Sequence, residues 1–569
     1  MAAFATLALS AAEPPRDDGM SWPTLHGDLQ RSGFHPQFPK GPLRLVWRKE
    51  LYRELTGPRA EVIVGDGLAF MGTYAGNLYA WDVNAGAEKW VFKTGGPIGH
   101  SPMFVGGIPR TRSRFERPDR SSRRESALIS LPRRWSELTS AATRFVESSR
   151  RAEAQASAPS SGLQATDDSS LLPSAATVYF GSLDRKLYAV EAATGKTRWQ
   201  FEAGEGIWVS PVVHRGRVMF GARDGVFYAL EAANGKREWT FPTGDRILTS
   251  ASISEDGGRV VFASEDMRVY CLEAPTGRLL WRSRKLAGLS VRDYAPVMAR
   301  GRVLITTNPV KDFHTILGQH QEMLVNRAGF KGKDPRYIPG TPEDVRREQD
   351  FIVEFLKAHP EEQTFYAFNV TDGREPWIAP ILYTGGLHNP LTPPCVNPQT
   401  GAVFTQLRSA YGTWDGGGEV RPFTGFGQLD LQTGRVALLG HGYPSKEPGR
   451  PPGAKDMPWM TFNYIGDETQ TLSCAPDLLL CTHQGFIGSL NLKSGLTARL
   501  YGKRDTYGGF YGPGNFGWEN QGGHEKARAA HQPFGIVNEW HGPARAVVSV
   551  AGNKVFFPVG SQVLCLEGQ

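Results

Sequence analysis

Cysteine is scarce: five in 569 residues, none before Cys271, too few for a disulfide framework. Cys271 and Cys565 sit in the same register, VYCLE and VLCLE, of segments far apart in the chain. They read as small core residues rather than as a pair. No apolar run approaches the roughly 18 residues a membrane-spanning helix needs, so no span is expected. No His-Glu-x-x-His or paired Cys-x-x-Cys motif occurs, so zinc has no sequence signature here. Basic surface is also scarce. The net charge is +7, but residues 106–174 hold twelve Arg, no Lys and eight acids. Little positive charge is left elsewhere, which argues against a nucleic-acid partner. A positive n-region is missing too, yet residues 1–12, MAAFATLALSAA, resemble the end of a secretory leader. Residues 1–20 are therefore expected to be a signal remnant, and the protein to be periplasmic or secreted.

Glycine and proline, by contrast, are plentiful at 66 and 40, the turn supply that many short strands require. The strands are visible as repeats. VYFGSLDRKLYAVEAATGKTRW, VMFGARDGVFYALEAANGKREW and VVFASEDMRVYCLEAPTGRLLW end on Trp199, Trp239 and Trp281. A period near forty with strand-like halves indicates a β-propeller, whose stacked units share one core. An earlier copy occupies residues 67–90 and ends on Trp90, and a later one ends on Trp377. Weaker copies follow at 401–434 and 478–495, and the last, 554–567, lacks its outer strand. The orphan strand at 43–51 supplies it, bringing Trp47 to the place of the other tryptophans. The expectation is an all-β fold: an eight-bladed propeller of four-stranded antiparallel blades over residues 21–569, its last blade closed by an N-terminal strand. Residues 106–174 are expected to be a disordered Arg/Ser-rich insertion. Residues 308–363 are expected to form a lid with a helix at 342–358. Turn-rich residues 21–36 are expected to wrap over a rim.

The unit LYAVEAATGKTRW resembles the repeat of the pyrroloquinoline quinone (PQQ)-type propellers. That superfamily includes quinoprotein alcohol dehydrogenases and the outer-membrane assembly propeller lipoprotein. The resemblance covers residues 67–90 and 178–281 closely, 364–377 plausibly and the rest loosely. It implies that Trp90, Trp199, Trp239, Trp281 and Trp377 dock between neighbouring blades. It fixes fold, not chemistry. The quinoproteins often carry an adjacent Cys-Cys pair and hold calcium with Glu, Asn and Asp; this chain has no such pair, and no calcium set is recognisable in it.

Strand counting places the longer loops around one mouth of the channel, where the innermost strands begin. Insertions 308–363, 410–424, 443–463 and 503–538 all fall there, and loops over a mouth shape pockets. Residues at that mouth include Arg59, His100, Trp208, Arg292, Asp293, Tyr294, His388, Asn389, Asp467, Glu468, His541 and Arg545. Nine of the 13 histidines are assigned to the same face, and histidine suits metal ligation or proton transfer near neutral pH. A histidine in a loop is more often only solvated or capping.

Three readings stay open. In the first, a monomeric exported propeller binds a small-molecule or carbohydrate ligand. Its catalytic extension is an elimination or oxidation with Tyr294 or His388 as base, Arg292 and Arg545 neutralising an oxyanion, and His541 orienting. Asp293 and Asn389 then line the cofactor, and His388 with His541 hold a divalent metal. In the second, a quinoprotein dehydrogenase uses PQQ with calcium, with Trp208 as the cofactor's floor. In the third, a non-catalytic envelope scaffold binds a protein partner through its rim. The aromatic and glycine-rich run 507–518, YGGFYGPGNFGW, serves equally as a stacking platform or as a loop packing its own rings.

Overall fold

The computed structural model describes residues 21–51, 54, 56, 60–106, 175–292, 295–310, 342–382, 393–409, 423–439, 471–483, 486–494, 497–501, 547–559 and 562–568. The chain divides into two compact units, residues 1–108 with 171–569, and residues 109–170. The second unit lies outside the described residues.

The first unit is an eight-bladed propeller of antiparallel blades. Blade 1 comprises β2 (Ile63–Gly65), β3 (Leu68–Gly72), β4 (Asn77–Asp82) and β5 (Glu88–Lys93). Blade 2 runs β6 (Met103–Val105) to β9 (Thr197–Glu202), blade 3 β10 (Val212–His214) to β13 (Arg237–Pro242), and blade 4 β14 (Ser252–Ile253) to β17 (Leu279–Arg282). Blade 5 ladders three strands, β18 (Val297–Ala299), β19 (Arg302–Thr306) and β20 (Phe365–Asn369). Blades 6 and 7 run β21 (Cys395–Asn397) to β24 (Val436–Leu439) and β25 (Thr471–Ala475) to β28 (Thr497–Tyr501). Blade 8 joins β29 (Ser549–Ala551), β30 (Lys554–Val559) and β31 (Gln562–Glu567) to β1 (Arg44–Glu50). The register Arg44↔Glu567 to Glu50↔Gln562 closes the ring between the two ends of the chain.

The joints are written into the repeat. Each indole lies on a glycine of the next blade: Trp47 on Gly86, Trp90 on Gly195, Trp199 on Gly235, Trp239 on Gly277, Trp281 on Gly373 and Trp377 on Gly434. A Cβ on Gly235 would come 2.6 Å from the Trp199 ring, and its φ of +76° also favours glycine. Five of the six indoles donate Nε1–H to a carbonyl three residues before that glycine, as Trp199 does to Ala232 at 3.0 Å. These staples join six of the eight blade interfaces, from blade 8 through blade 6.

A second device sits in the polar turn. The Asp184 carboxylate accepts from Tyr188 Oη (2.7 Å) in its own blade and from Gly95 N (2.8 Å) in the blade before. Asp224 does the same with Tyr228 and Gly204, and Asp266 with Tyr270 and Gly244. Blade 1 has Ala75 at that place, and Glu54 reaches in to accept from Tyr79, Asn77 and Thr73.

The N-terminal segment does not wrap a rim. Residues 22–35 run through the centre of the ring and take up hydrogen bonds that the inner edges of the innermost strands leave open. Trp22 exchanges both backbone bonds with Val64. Pro23 O accepts from Phe104, Leu29 O from Ile253, Gln30 O from Met298, Ser32 O from Val396 and Gly33 O from Cys474. Six of the eight blades are thereby tied to one strap. Its coiling needs left-handed backbone, which His26 (φ +56°), Gly27, Arg31 (φ +59°) and Gly33 supply.

Helix α1 (Pro342–Ala358), in the insertion between β19 and β20, falls where its sequence places it. It docks on the outer strand of blade 6: the Gln349 amide donates to Val436 O and accepts from Val436 N. That side chain stands in for a further strand on an open edge.

Candidate functional site

The mouth where the innermost strands begin is built from strand starts and from the turns between strands two and three. Trp208, just before β10, and Tyr74, in the turn after β3, lie 5.8 Å apart by ring centroids, so both kinds of connection share this face. His100 meets Trp208 edge-on at 6.2 Å. Gly99 lets the indole lie flat, since a Cβ there would come within 2.5 Å of it. Trp208 and Tyr74 are half-buried and His100 is buried, so two aromatic rings and one imidazole cluster at this mouth.

One step deeper, buried polar groups link the starts of successive blades. Ser101 Oγ accepts from Glu61 N (2.7 Å), Ser210 Oγ donates to Ser101 O (2.7 Å) and Ser250 Oγ accepts from Ser210 N (3.0 Å). Beneath them lies the strap. Its Arg31 is fully buried, with Nε on Ala251 O and Nη1 on Thr24 Oγ1 and Leu25 O. Burial lowers the Arg31 pKa to about 10, opposed by Asp28 and Glu61, so it stays charged at neutral pH. The Glu61 carboxylate accepts from Trp22 Nε1 (3.0 Å) and His26 N (2.8 Å), with His26 Nε2 3.5 Å away. Burial raises the Asp28 carboxyl, against the lowering effect of its bonds to Ser32 and of Arg31. His35 stacks on Trp22 at 4.6 Å, and burial lowers its pKa to about 3.

Two of the eight site residues expected from sequence are described. Trp208 is in the ring cluster with Tyr74 and His100. Arg292 is exposed on the same mouth, and its charge acts on Glu265, whose carboxyl is raised by burial and bonded to Ser290 and Val291 N. Asp293, Tyr294, His388, Asn389, His541 and Arg545 lie outside the described residues. The set His26, Asp28, Arg31 and Glu61 is not among the expected residues. Its only signal was the density of polar and turn residues in TLHGDLQRSGFH.

Among the described residues, one group brings three metal-ligand atoms together, His359, Glu361 and Glu362 just after α1. It is largely exposed and remote in sequence from the expected pair His388 and His541. For PQQ with calcium, the described part of the mouth offers Trp208 as a flat floor and two carboxylates, Glu61 bonded to Trp22 and His26 and Glu265 bonded to Ser290 and Val291. No helix among the described residues is long and apolar enough to cross a membrane.

Comparison with known proteins adds the following. BamB from Moraxella catarrhalis aligns over 92% of this chain and 99% of its own, with 11% identity and a TM-score of 0.41. The quinohemoprotein alcohol dehydrogenase of Comamonas testosteroni aligns over 96% and 81%, with 12% identity and a TM-score of 0.48. The computationally designed Ika8 protein aligns over 93% and 100%, with 9% identity and a TM-score of 0.45. No curated protein matches the sequence. The family described as outer membrane protein assembly factor BamB matches residues 44–124 and 134–379, from the closing strand through blade 5. With more than half of its length matched, this chain belongs to that family of PQQ-like repeat propellers.

Proposed function

We propose that this protein is exported and binds a small polar ligand, a carbohydrate or a flat-ring compound, at the near mouth of its propeller. The observation that carries the reading is the half-buried Trp208 and Tyr74 pair beside His100, on the ring whose innermost strands the strap bonds. Half-exposed rings next to close-approach glycines suit stacking against a ligand face. Arg292, on the same mouth, suits a carboxylate or oxyanion. Arg545, Tyr294, His388 and His541 belong to this reading as its catalytic extension, with Asp293 and Asn389 lining the ligand and a divalent metal held by His388 and His541. The test is intrinsic-fluorescence titration with neutral sugars, uronic acids, and PQQ with calcium. Saturable binding to one of these, lost in Trp208→Ala while thermal unfolding is unchanged, supports the site. No response to any of them, or the same response in Trp208→Ala, removes it.

Membership of the assembly-factor family favours a second reading, a scaffold for envelope proteins. Capture of an outer-membrane assembly protein that persists in Trp208→Ala, with no ligand response, selects it.

A further inference from the structure

Among the described residues the Trp–Gly staples leave two interfaces without one, between blades 6 and 7 and between blades 7 and 8. Two cysteines occupy the first of these. Cys395 lies in β21 of blade 6 and Cys474 in β25 of blade 7, neighbouring inner strands of the ring. Both are buried, in one apolar cluster with Phe34, Phe404 and Leu472. The strap holds the two strands side by side, since Ser32 O accepts from Val396 N (2.7 Å) and Gly33 O from Cys474 N (3.0 Å). Gly33 packs against the first of them, since a Cβ there would lie 3.4 Å from Cys395 Cβ. The sulfurs are near enough to act on each other: the Cys474 thiol is raised by burial first and then by the Cys395 thiol. Of the other three cysteines, Cys481 shares this apolar cluster. Cys271 and Cys565 belong to blades 4 and 8, and Cys481 lies one strand further out in blade 7.

We propose that Cys395 and Cys474, both thiols in this structure, are a disulfide-forming pair that staples blade 6 to blade 7 where the tryptophan staple is missing. The oxidant is a low-molecular-weight or protein disulfide. One cysteine loses its proton, its thiolate attacks that disulfide and releases one thiol. The second thiolate then displaces the other thiol, so two cysteines lose two electrons and two protons in all, and the oxidant is reduced to two thiols. Burial puts both groups out of reach once the ring is closed. The exchange therefore takes place on the folding chain, and an oxidising compartment of the kind proposed above would supply it. The inference does not depend on any ligand at the near mouth.

The experiment is to unfold and refold the full chain in buffers of oxidised and reduced glutathione. Each sample is then acid-quenched, denatured and alkylated before peptide mapping. The expected result after oxidising refolding is a linked Cys395–Cys474 peptide pair, with Cys271, Cys481 and Cys565 alkylated. The oxidised protein is also expected to melt several degrees higher than the reduced one, a difference lost in Cys395→Ala and kept in Cys271→Ala. Alkylation of all five cysteines after every refolding condition, or a linkage through another cysteine, overturns the proposal. The peptide map is read on the natural sequence, so the result stands even where a variant fails to fold.

Discussion

At Gly235 the cost of a single methyl group can be argued directly. An added Cβ meets the Trp199 ring at 2.6 Å and adopts an unfavourable φ of +76°. Gly301 has a similar φ of +73° with nothing within 4 Å. Gly301→Ala is thus expected to cost only backbone strain, about 1 kcal/mol, and Gly235→Ala about 3 kcal/mol, as clash adds to strain. Urea unfolding of the two variants measures the difference. His35 gives a pH prediction at the same scale. Its folded pKa is lowered to about 3 by burial between Trp22 and Phe38, whereas the unfolded value is about 6.5. The folded state then binds fewer protons, so the contribution is complete above pH 6.5 and is lost as pH falls toward 3. From pH 6.5 to 5 it amounts to about 1.5 kcal/mol. His35→Phe, which keeps the stacking, is expected to remove that part of the slope in unfolding measured across the range. The Asp28 carboxyl, raised by burial, works in the opposite direction and is present in both proteins.

At the scale of elements, the clamp between strands explains why Glu54 matters although it lies in no strand. It accepts from Tyr79 as Asp184, Asp224 and Asp266 accept from the matching tyrosines of later blades, and from Asn77 and Thr73 besides. Glu54→Ala leaves those partly buried groups without their acceptor and is expected to lower the unfolding free energy by about 2 kcal/mol, readable by denaturant titration. The repeat itself was legible because each unit carries its own joint: the Asp of the turn, the Tyr of strand three, the Gly and the Trp recur at fixed offsets. The strap was not legible. Its bonds reach from Trp22 to Val64 and from His35 to Cys474, and no periodicity in WPTLHGDLQRSGFH marks which edges it will meet. Likewise Tyr74 meets Trp208 only because the turn after β3 faces the segment before β10 (Val212–His214), a neighbour set by ring closure rather than by spacing.

At the scale of the molecule, the ring is held by two arrangements that share the N-terminal portion of the chain. Strand β1 (Arg44–Glu50) completes blade 8 and carries Trp47 to Gly86, while the strap crosses the centre and ties blades 1, 2, 4, 5, 6 and 7. Eight blades and the closing strand follow from counting repeats. The chemistry at the mouth does not, because six of the eight residues expected there lie outside the described residues, and His26, Asp28, Arg31, His35 and Glu61 carry no motif. The most direct measurement is amide hydrogen exchange by mass spectrometry on the full chain and on a chain that lacks residues 1–36 but retains β1. If the strap fills the channel, the amides of Val64, Phe104, Ile253, Met298, Val396 and Cys474 exchange slowly in the full chain and much faster in the shortened one, with the outer strands unchanged. Equal exchange of those six amides in the two proteins would contradict the account.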